Sequence, residues 1–413
     1  MSDMKTLLSI LLSFITLVTS AQVKPGIDVL EDNNFTQLKG KRIALITNPT
    51  GVNSRLVPTV DILANAADVK LVALLAPEHG IRGDVVAGAT VASSTDTATG
   101  LPVYSIYGST KKPTAAMLAG CDAIVYDIQD NGCRSYTFIS TMGKAMEAAA
   151  EQGKEFIILD RPNPLGGNRV EGGMVDADCI SFVSQYSIPY IYGLTPGELA
   201  RYLIGEGLIK APGLKLTVVE MEGWKRSMTY SQTGLPWVLP SPHIPSAETC
   251  LYYPASGILG ELDFLSIGVG YTLPFMTFAA PWIDADKLAA RLNKVASQNG
   301  AVAWRVIHYK PFYGKFKGEN LNGVQLYFLD PARASLTLPQ FQVMQELHKM
   351  YPSRSPLAAT DKNGRLLRMF DQVTGTKKLR SALLGKGYDT SVLDSLWQPS
   401  EAFLQNSPRY YLY

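Results

Sequence analysis

Charge is sparse in this chain. Asp, Glu, Lys and Arg make up 18% of its 413 residues, and 38 Lys and Arg nearly cancel 36 Asp and Glu, leaving a net charge of +2. With no Lys/Arg-rich run, that balance argues against nucleic-acid binding through phosphate neutralisation. Histidine occurs only at His79, His243, His308 and His348. No H-E-x-x-H or C-x-x-C spacing accompanies them, so a zinc site would be short of ligands and no metal is expected. The four cysteines (Cys121, Cys133, Cys179 and Cys250) are too few for a disulfide framework, which leaves one bridge or buried free thiols. There is no G-x-G-x-x-G after a strand and no G-x-x-x-x-G-K-[ST], so neither a dinucleotide nor a nucleoside triphosphate is advertised and no cofactor is expected. The G-x-S-x-G turn of α/β serine hydrolases is missing too. Beyond the N-terminal region no apolar run reaches eighteen residues, so no membrane span is expected.

What is present is 46% hydrophobic residues and 9% aromatics, the composition of a compact folded chain. At roughly 150 residues per domain, its length suggests two to three domains. Residues 1–21 stand apart. Lys5 precedes an apolar run from Leu7 to Val18 and then Thr19-Ser20-Ala21, the pattern of a secretory signal peptide cleaved before Gln22. An exported protein, periplasmic or secreted, is therefore expected.

The following stretch repeats one motif of organisation. Ile43–Thr47, Val69–Leu75, Ala123–Tyr126 and Phe156–Leu159 are apolar, β-branched runs of strand length. Helical patterns fill Thr59–Ala66, Thr114–Ala119, Phe138–Gln152 and Pro196–Glu206, the last opening with Thr195 and Glu198 in capping-box spacing. Strands alternating with helices point to a parallel sheet covered on both faces, a Rossmann-like α/β domain over residues 22–240. Pro236, Pro240, Pro242, Pro245 and Pro254 then break the pattern. A Gly-rich segment follows (Gly257, Gly260, Gly268, Gly270). Beyond it come a helix over Ala285–Ser297, a strand near Gly323–Leu329 and helices around Gln340–Met350 and Lys377–Leu384. Residues 241–413 read as a smaller α+β domain closing a cleft, a common place for a ligand.

Ligands of open α/β sheets bind beyond the carboxyl ends of the strands. Four polar loops lie at such ends: Asn48-Pro49-Thr50-Gly51, Ala76-Pro77-Glu78-His79-Gly80, Asp127-Ile128-Gln129-Asp130 and Asp160-Arg161-Pro162-Asn163-Pro164. With the standard motifs excluded, carboxylates are the remaining working groups. Glu78 is the best placed, because its loop sets an acid beside the imidazole of His79. Taken singly, each loop also has a plain structural reading, since Asn48 and Asn163 beside proline are ordinary turn formers.

Four longer motifs sharpen the reading. Pro77-Glu78-His79-Gly80-Ile81-Arg82-Gly83, Asp127 to Thr137 (DIQDNGCRSYT), Leu159 to Gly167 (LDRPNPLGG) and Gly234-Leu235-Pro236-Trp237-Val238 occur in this order. Together they resemble the exo-β-N-acetylmuramidase family, formerly a domain of unknown function, over nearly the whole chain beyond residue 21. The resemblance implies a Rossmann-like domain followed by a smaller one, and release of N-acetylmuramic acid from the non-reducing ends of peptidoglycan fragments. It implies Glu78 as the catalytic acid, with His79 beside it. Glycoside hydrolysis generally needs a second carboxylate, about 5 Å away for retention or roughly 6.5–9.5 Å for inversion. Asp127, Asp130, Asp160 and Glu261 are the candidates, unless the acetamido group of the substrate assists. Arg134 and Arg161 suit a carboxylate on the sugar, or else tie loops to Asp130 and Asp160. Tyr136 and Trp237 are candidates for stacking on sugar rings, and Asn48, Arg82, Gln129 and Asn163 for lining the binding site.

The chain also departs from the family's motifs. Tyr192 stands where a His is common, His243 lies in the segment usually written S-P-N-M-P, and Val269 and Tyr271 replace the Arg and Thr of a G-R-G-T element. A divergent paralogue that binds muropeptides or related glycans without cleaving them, or with altered specificity, is therefore a second reading. A metal-assisted hydrolase using His79 with Asp127 or Asp160 is a third.

Overall fold

The structure is a computed structural model, in which residues 22–83, 93–296, 300–358 and 364–413 are described. The expected signal peptide lies outside them. Seven strands form the first sheet: β1 (Arg42–Thr47), β2 (Lys70–Ala76), β3 (Ser94–Thr95), β4 (Pro102–Ser105), β5 (Ala123–Asp127), β6 (Glu155–Leu159) and β7 (Leu216–Val219). Their spatial order is β3-β4-β2-β1-β5-β6-β7, parallel throughout except for the β3–β4 pair. The expected Rossmann-like sheet is thus present.

Side chains of β1 alternate between the two covered faces. Ile43 and Leu45 join Ile27, Leu30, Val60 and Leu63 on one side, while Ala44 and Ile46 join Met142, Met146, Leu199 and Leu203 on the other. All are buried, and full burial of a Leu or Ile side chain contributes about 1.5–3 kcal/mol. Two faces covered by helices explain why these strands read as continuous apolar runs. The helix Pro196–Gly205 opens as expected: the Thr195 hydroxyl accepts from the Glu198 amide at 3.2 Å, and the Glu198 carboxylate accepts from the Thr195 amide at 3.0 Å.

A smaller antiparallel sheet, β8 (Thr277–Ala280), β9 (Val302–Tyr309) and β10 (Leu321–Phe328) in the order β8-β10-β9, carries the second half of the chain. The helices Ala285–Ala296 and Leu338–Met350 pack with it in a core that includes Leu288, Leu292, Phe341 and Met344. One sequence expectation needs correction here. Pro254 does not break the pattern, and Gly257 and Gly260 do not open a Gly-rich segment: all three lie in a helix, Thr249–Gly260. Burial of Cys250, Tyr252, Ala255, Ile258 and Leu259 outweighs the poor propensity of its Pro and Gly residues, which is a weak prior wherever tertiary packing is extensive. Residues Glu401–Asn406 form a last helix, whose Phe403 returns to the core of the first sheet.

Candidate active site

The strand order decides where a ligand would sit. From β1 the chain winds outward through β2 and β4, then returns to β5 on the other side of β1 and continues through β6 to β7. The winding direction reverses between β1 and β5, whose last paired residues are Thr47 and Asp127. The crevice beyond these ends is the place such sheets use for ligands. Backbones approach closely there: a Cβ on Gly51 would stand 3.0 Å from the Asp127 carbonyl oxygen.

Glu78 follows β2 and is half-buried. Its Oε2 accepts a 2.8 Å hydrogen bond from the Thr137 hydroxyl, at the start of the helix Phe138–Glu151, and the Tyr107 hydroxyl beyond β4 bonds to the same carboxylate. Burial, then the charge of Glu78, raises the Tyr107 pKa and keeps that phenol a donor. His79 is buried at φ +70, followed by Gly80 at φ +76. A left-handed histidine is uncommon and costs free energy, so the loop is held in a shape that local preference does not supply. His79 lies near His243, where burial and then the neighbouring imidazole lower the His243 pKa.

The loop after β5 forms the floor. Asp130 is buried, its Oδ1 accepting from the Gly132 amide at 2.8 Å and the Tyr192 hydroxyl at 3.0 Å. Burial pushes its pKa up to about 7, against the opposing pull of those bonds. Tyr192 thus serves as a donor to this acid. Asn48 Nδ2, Gln129 Oε1, Asp130 Oδ2 and Asn131 Nδ2 are buried with no protein partner. Such atoms are expensive to leave unmet, and all four follow β1 or β5.

The other candidates are placed differently. Asp127 and Arg161 form a buried pair, Nε to Oδ1 at 2.5 Å and Nη2 to Oδ2 at 2.9 Å, with the Thr59 hydroxyl on Oδ2 at 2.5 Å. Arg161 also donates to the Val52 carbonyl at 2.8 Å. Both oxygens of Asp160 are occupied as well, by the Arg161 and Gly197 amides and by the Thr195 and Tyr413 hydroxyls. Burial again raises this carboxyl to about 7. Arg134 is fully buried, with its donors directed at Ser184 and at the carbonyls of Gly173, Ile188, Val373 and Thr374, and none reaches a carboxylate. It joins the two halves of the chain rather than lining a cleft. Arg82 turns outward to Asp96 and Asp61, and Asn163 braces its own loop through Leu165 and Leu194. Trp237 donates to the Ile244 carbonyl and packs edge-on against Tyr230. Beside it a crevice of about 10 Å³, room for one water, is lined by Thr50, Gln129 and Arg161.

Glu261 lies at the end of the helix Thr249–Gly260, on a cavity of about 290 Å³ lined also by Tyr253, Ser266, Phe275 and Lys315. Burial raises its pKa. Tyr253 links this cavity to the first domain: its hydroxyl is 3.2 Å from Ser135 Oγ, its ring meets Tyr136 edge-on at 5.7 Å, and it lies within electrostatic reach of both Glu78 and Glu261. The structure therefore brings Glu78, Tyr136 and Glu261 to Tyr253, with Asp130 in electrostatic reach of Tyr136. Thr137, Tyr107 and Tyr253 were not among the sequence candidates. Thr137 closes the quoted D-I-Q-D motif, and the alternating run Pro102–Ser105 could have exposed Tyr107 as a strand-end residue. Tyr253 was hidden by the proline beside it. Among the described residues no three His, Cys, Asp or Glu side chains are grouped to hold a metal, so the metal-assisted reading has no donor set there.

A doubly wound sheet with an acid at its rim, followed by a smaller antiparallel-sheet unit, defines a two-domain α/β protein. Residues 43–248 match the family description "Exo-beta-N-acetylmuramidase NamZ, N-terminal" and residues 251–413 its C-terminal counterpart. The chain belongs to this family of glycoside hydrolases. It is 42% identical over 392 residues to the peptidoglycan beta-N-acetylmuramidase NamZ of Bacillus subtilis, covering 95% of this chain and 92% of that protein. A crystal structure of a DUF1343 family protein from Bacteroides fragilis is 52% identical, with a TM-score of 0.89 over 95% of this chain and 99% of the other. A second such protein from that organism is 25% identical, with a TM-score of 0.70 over the same shares.

Proposed function

We propose that this protein is an exported glycoside hydrolase that releases N-acetylmuramic acid from the non-reducing ends of peptidoglycan fragments, with Glu78 as the catalytic acid. The observation that carries the role of Glu78 is its setting. A half-buried carboxylate at the strand rim is fixed by Thr137 and Tyr107, beside a histidine held in a left-handed conformation. Strain of this kind concentrates where geometry serves function. Family membership supports the reaction, and the N-terminal Lys5 and Leu7–Val18 pattern supports export. Glu261 is the best-placed second carboxylate: it faces a cavity, whereas Asp127 and Asp160 have both oxygens bonded. Asp130, with one free oxygen, is next.

The test is hydrolysis of a chromogenic β-N-acetylmuramide, beside the matching β-N-acetylglucosaminide, by residues 22–413 and by Glu78→Gln. Turnover of the muramide, lowered at least about 100-fold in the variant, is the expected result. A folded protein that binds muropeptides but turns over neither sugar would move the assignment to the binding-only reading. Mass spectrometry of the exported protein should find Gln22 at its N-terminus; a retained leader would defeat the export proposal.

A further inference from the structure

The connection between β9 and β10 presents aromatic surface that the site above does not use. Phe312 is 67% exposed and Tyr313 49%, in a chain that buries most of its large apolar side chains. These residues are fixed rather than loose. The Phe312 amide donates to the Gly270 carbonyl at 2.7 Å, and a Cβ on Gly270 would collide with the Tyr313 carbonyl, so the 268–271 and 311–314 segments lie backbone against backbone. Tyr271 stacks on buried Tyr309 at 4.6 Å and on Phe312 at 5.9 Å, with interplanar angles of 24° and 28°. Tyr313 stacks on His243 at 6.0 Å, and its hydroxyl is 3.1 Å from His243 Nε2. The result is two short stacks, Tyr309-Tyr271-Phe312 anchored in the core and Tyr313-His243 within electrostatic reach of His79, joined by the chain where Phe312 meets Tyr313.

Rings held parallel, with polar groups at their edges, match a pyranose, which offers an apolar C–H face bordered by hydroxyls. Charge points the same way. Lys310 and Lys317 are exposed on the same connection, where Lys315 is paired with Asp263 and Glu319 is the one acid, so the connection is net basic and suits a polymer bearing carboxylates. An enzyme that removes one terminal sugar must also hold the chain it leaves behind. We propose that Tyr271, Phe312, Tyr313 and His243 form a platform for the sugars on the leaving-group side of the cut, so that the protein engages an acidic glycan chain rather than a terminal sugar alone. The proposal rests on the glycosidase reading. It also gives Tyr271 and His243, two departures from the family's motifs, a shared role.

The experiment compares initial rates of N-acetylmuramic acid release from a peptide-free disaccharide and from the corresponding tetrasaccharide, for the wild type, Phe312→Ala and Phe312→Trp. The wild type should prefer the tetrasaccharide in kcat/KM by about tenfold, the scale of one or two ring contacts. Phe312→Ala should remove most of that preference, chiefly through KM, and Phe312→Trp should restore it. Because Phe312 is exposed, loss of fold does not cloud the comparison. Equal kcat/KM for the two lengths in the wild type, or a preference untouched by Phe312→Ala, would overturn the platform while leaving the glycosidase reading standing. Absence of turnover on both lengths in the wild type would instead overturn the glycosidase reading and the platform with it.

Discussion

Replacing Arg134 with methionine should separate a structural role from a substrate-binding one. The guanidinium donates to four backbone carbonyls, those of Gly173 and Ile188 at 2.6 Å and of Val373 and Thr374 at 3.0 and 3.1 Å. With no carboxylate partner, burial lowers its pKa to about 10, so the cation itself is costly to keep. Methionine relieves that cost but leaves the carbonyls without their donor, at about 1–3 kcal/mol for each group left unmet. These contributions do not add fully, and a loss above about 4–5 kcal/mol is exceptional for one substitution. A loss of about 4 kcal/mol is therefore expected, read as a lower urea midpoint, with the KM of whatever muramide turnover remains at low temperature changing little. Arg134→Lys should recover only part of the loss, because an ammonium cannot serve four carbonyls in a fork. A methionine variant within about 1 kcal/mol of the wild type but with a raised KM would refute the tether and return Arg134 to the binding site.

Other tests follow from the same buried charges. Asp130 and Asp160 are both raised to about 7 by burial, so each holds a proton in the native state at pH values where the unfolded chain has lost it. Their contribution to stability is full below about pH 4 and is lost as pH rises toward 7, at up to about 1.4 kcal/mol per pH unit for each group. Asp130→Asn should flatten the urea-midpoint profile in that window, and an unaltered slope would show that Asp130 ionises freely in the fold. Arg161→Met should cost about 3–5 kcal/mol by stranding the Asp127 carboxylate, while Asp127→Leu combined with Arg161→Met should regain much of it; a double variant no more stable than the single one would contradict this. Tyr413→Phe removes a donor to Asp160 at 2.9 Å and the acceptor of the Met221 amide at 2.8 Å, and should cost about 1–3 kcal/mol in the same assay. A cost near zero would mean that the Tyr411–Tyr413 segment does not hold the first domain together.

The Rossmann-like sheet was legible because burial on both faces leaves a simple trace. β1, β2, β5 and β6 are apolar nearly end to end, and the helix that follows β6 carries the capping box its sequence shows. The edge strands left no such trace. β4 is four residues long and begins with proline, and β7 is largely half-buried, so neither shows a pattern of its own. The helix Thr249–Gly260 defeated local reasoning for a different reason. Its proline and glycines are tolerated because the surrounding core, with Gln340 capturing the Pro254 carbonyl at 2.6 Å, outweighs them, and that core is assembled from residues nearly ninety positions away.

At the site the division is sharper. Sequence order at the strand ends was enough to bring Glu78, Asp127, Asp130 and Asp160 to one rim, since topology alone does that. Which of them are free to act depends on partners that no local pattern announces: Arg161 and Thr59 for Asp127, and Thr195, Gly197 and Tyr413 for Asp160. A buried carboxylate with every lone pair engaged is a structural element, and one that lines a cavity, as Glu261 does, or keeps an oxygen without a protein partner, as Asp130 does, is available for chemistry. By that criterion Glu261 and Asp130 outrank the two acids that open the D-I-Q-D and D-R-P-N motifs. Glu261→Gln should therefore reduce muramide kcat by at least about 100-fold with little change in the urea midpoint, whereas Asp160→Asn should lower the midpoint first. Equal activity losses in the two variants, at unchanged stability, would mean that hydrogen-bond saturation does not sort working acids from structural ones in this fold.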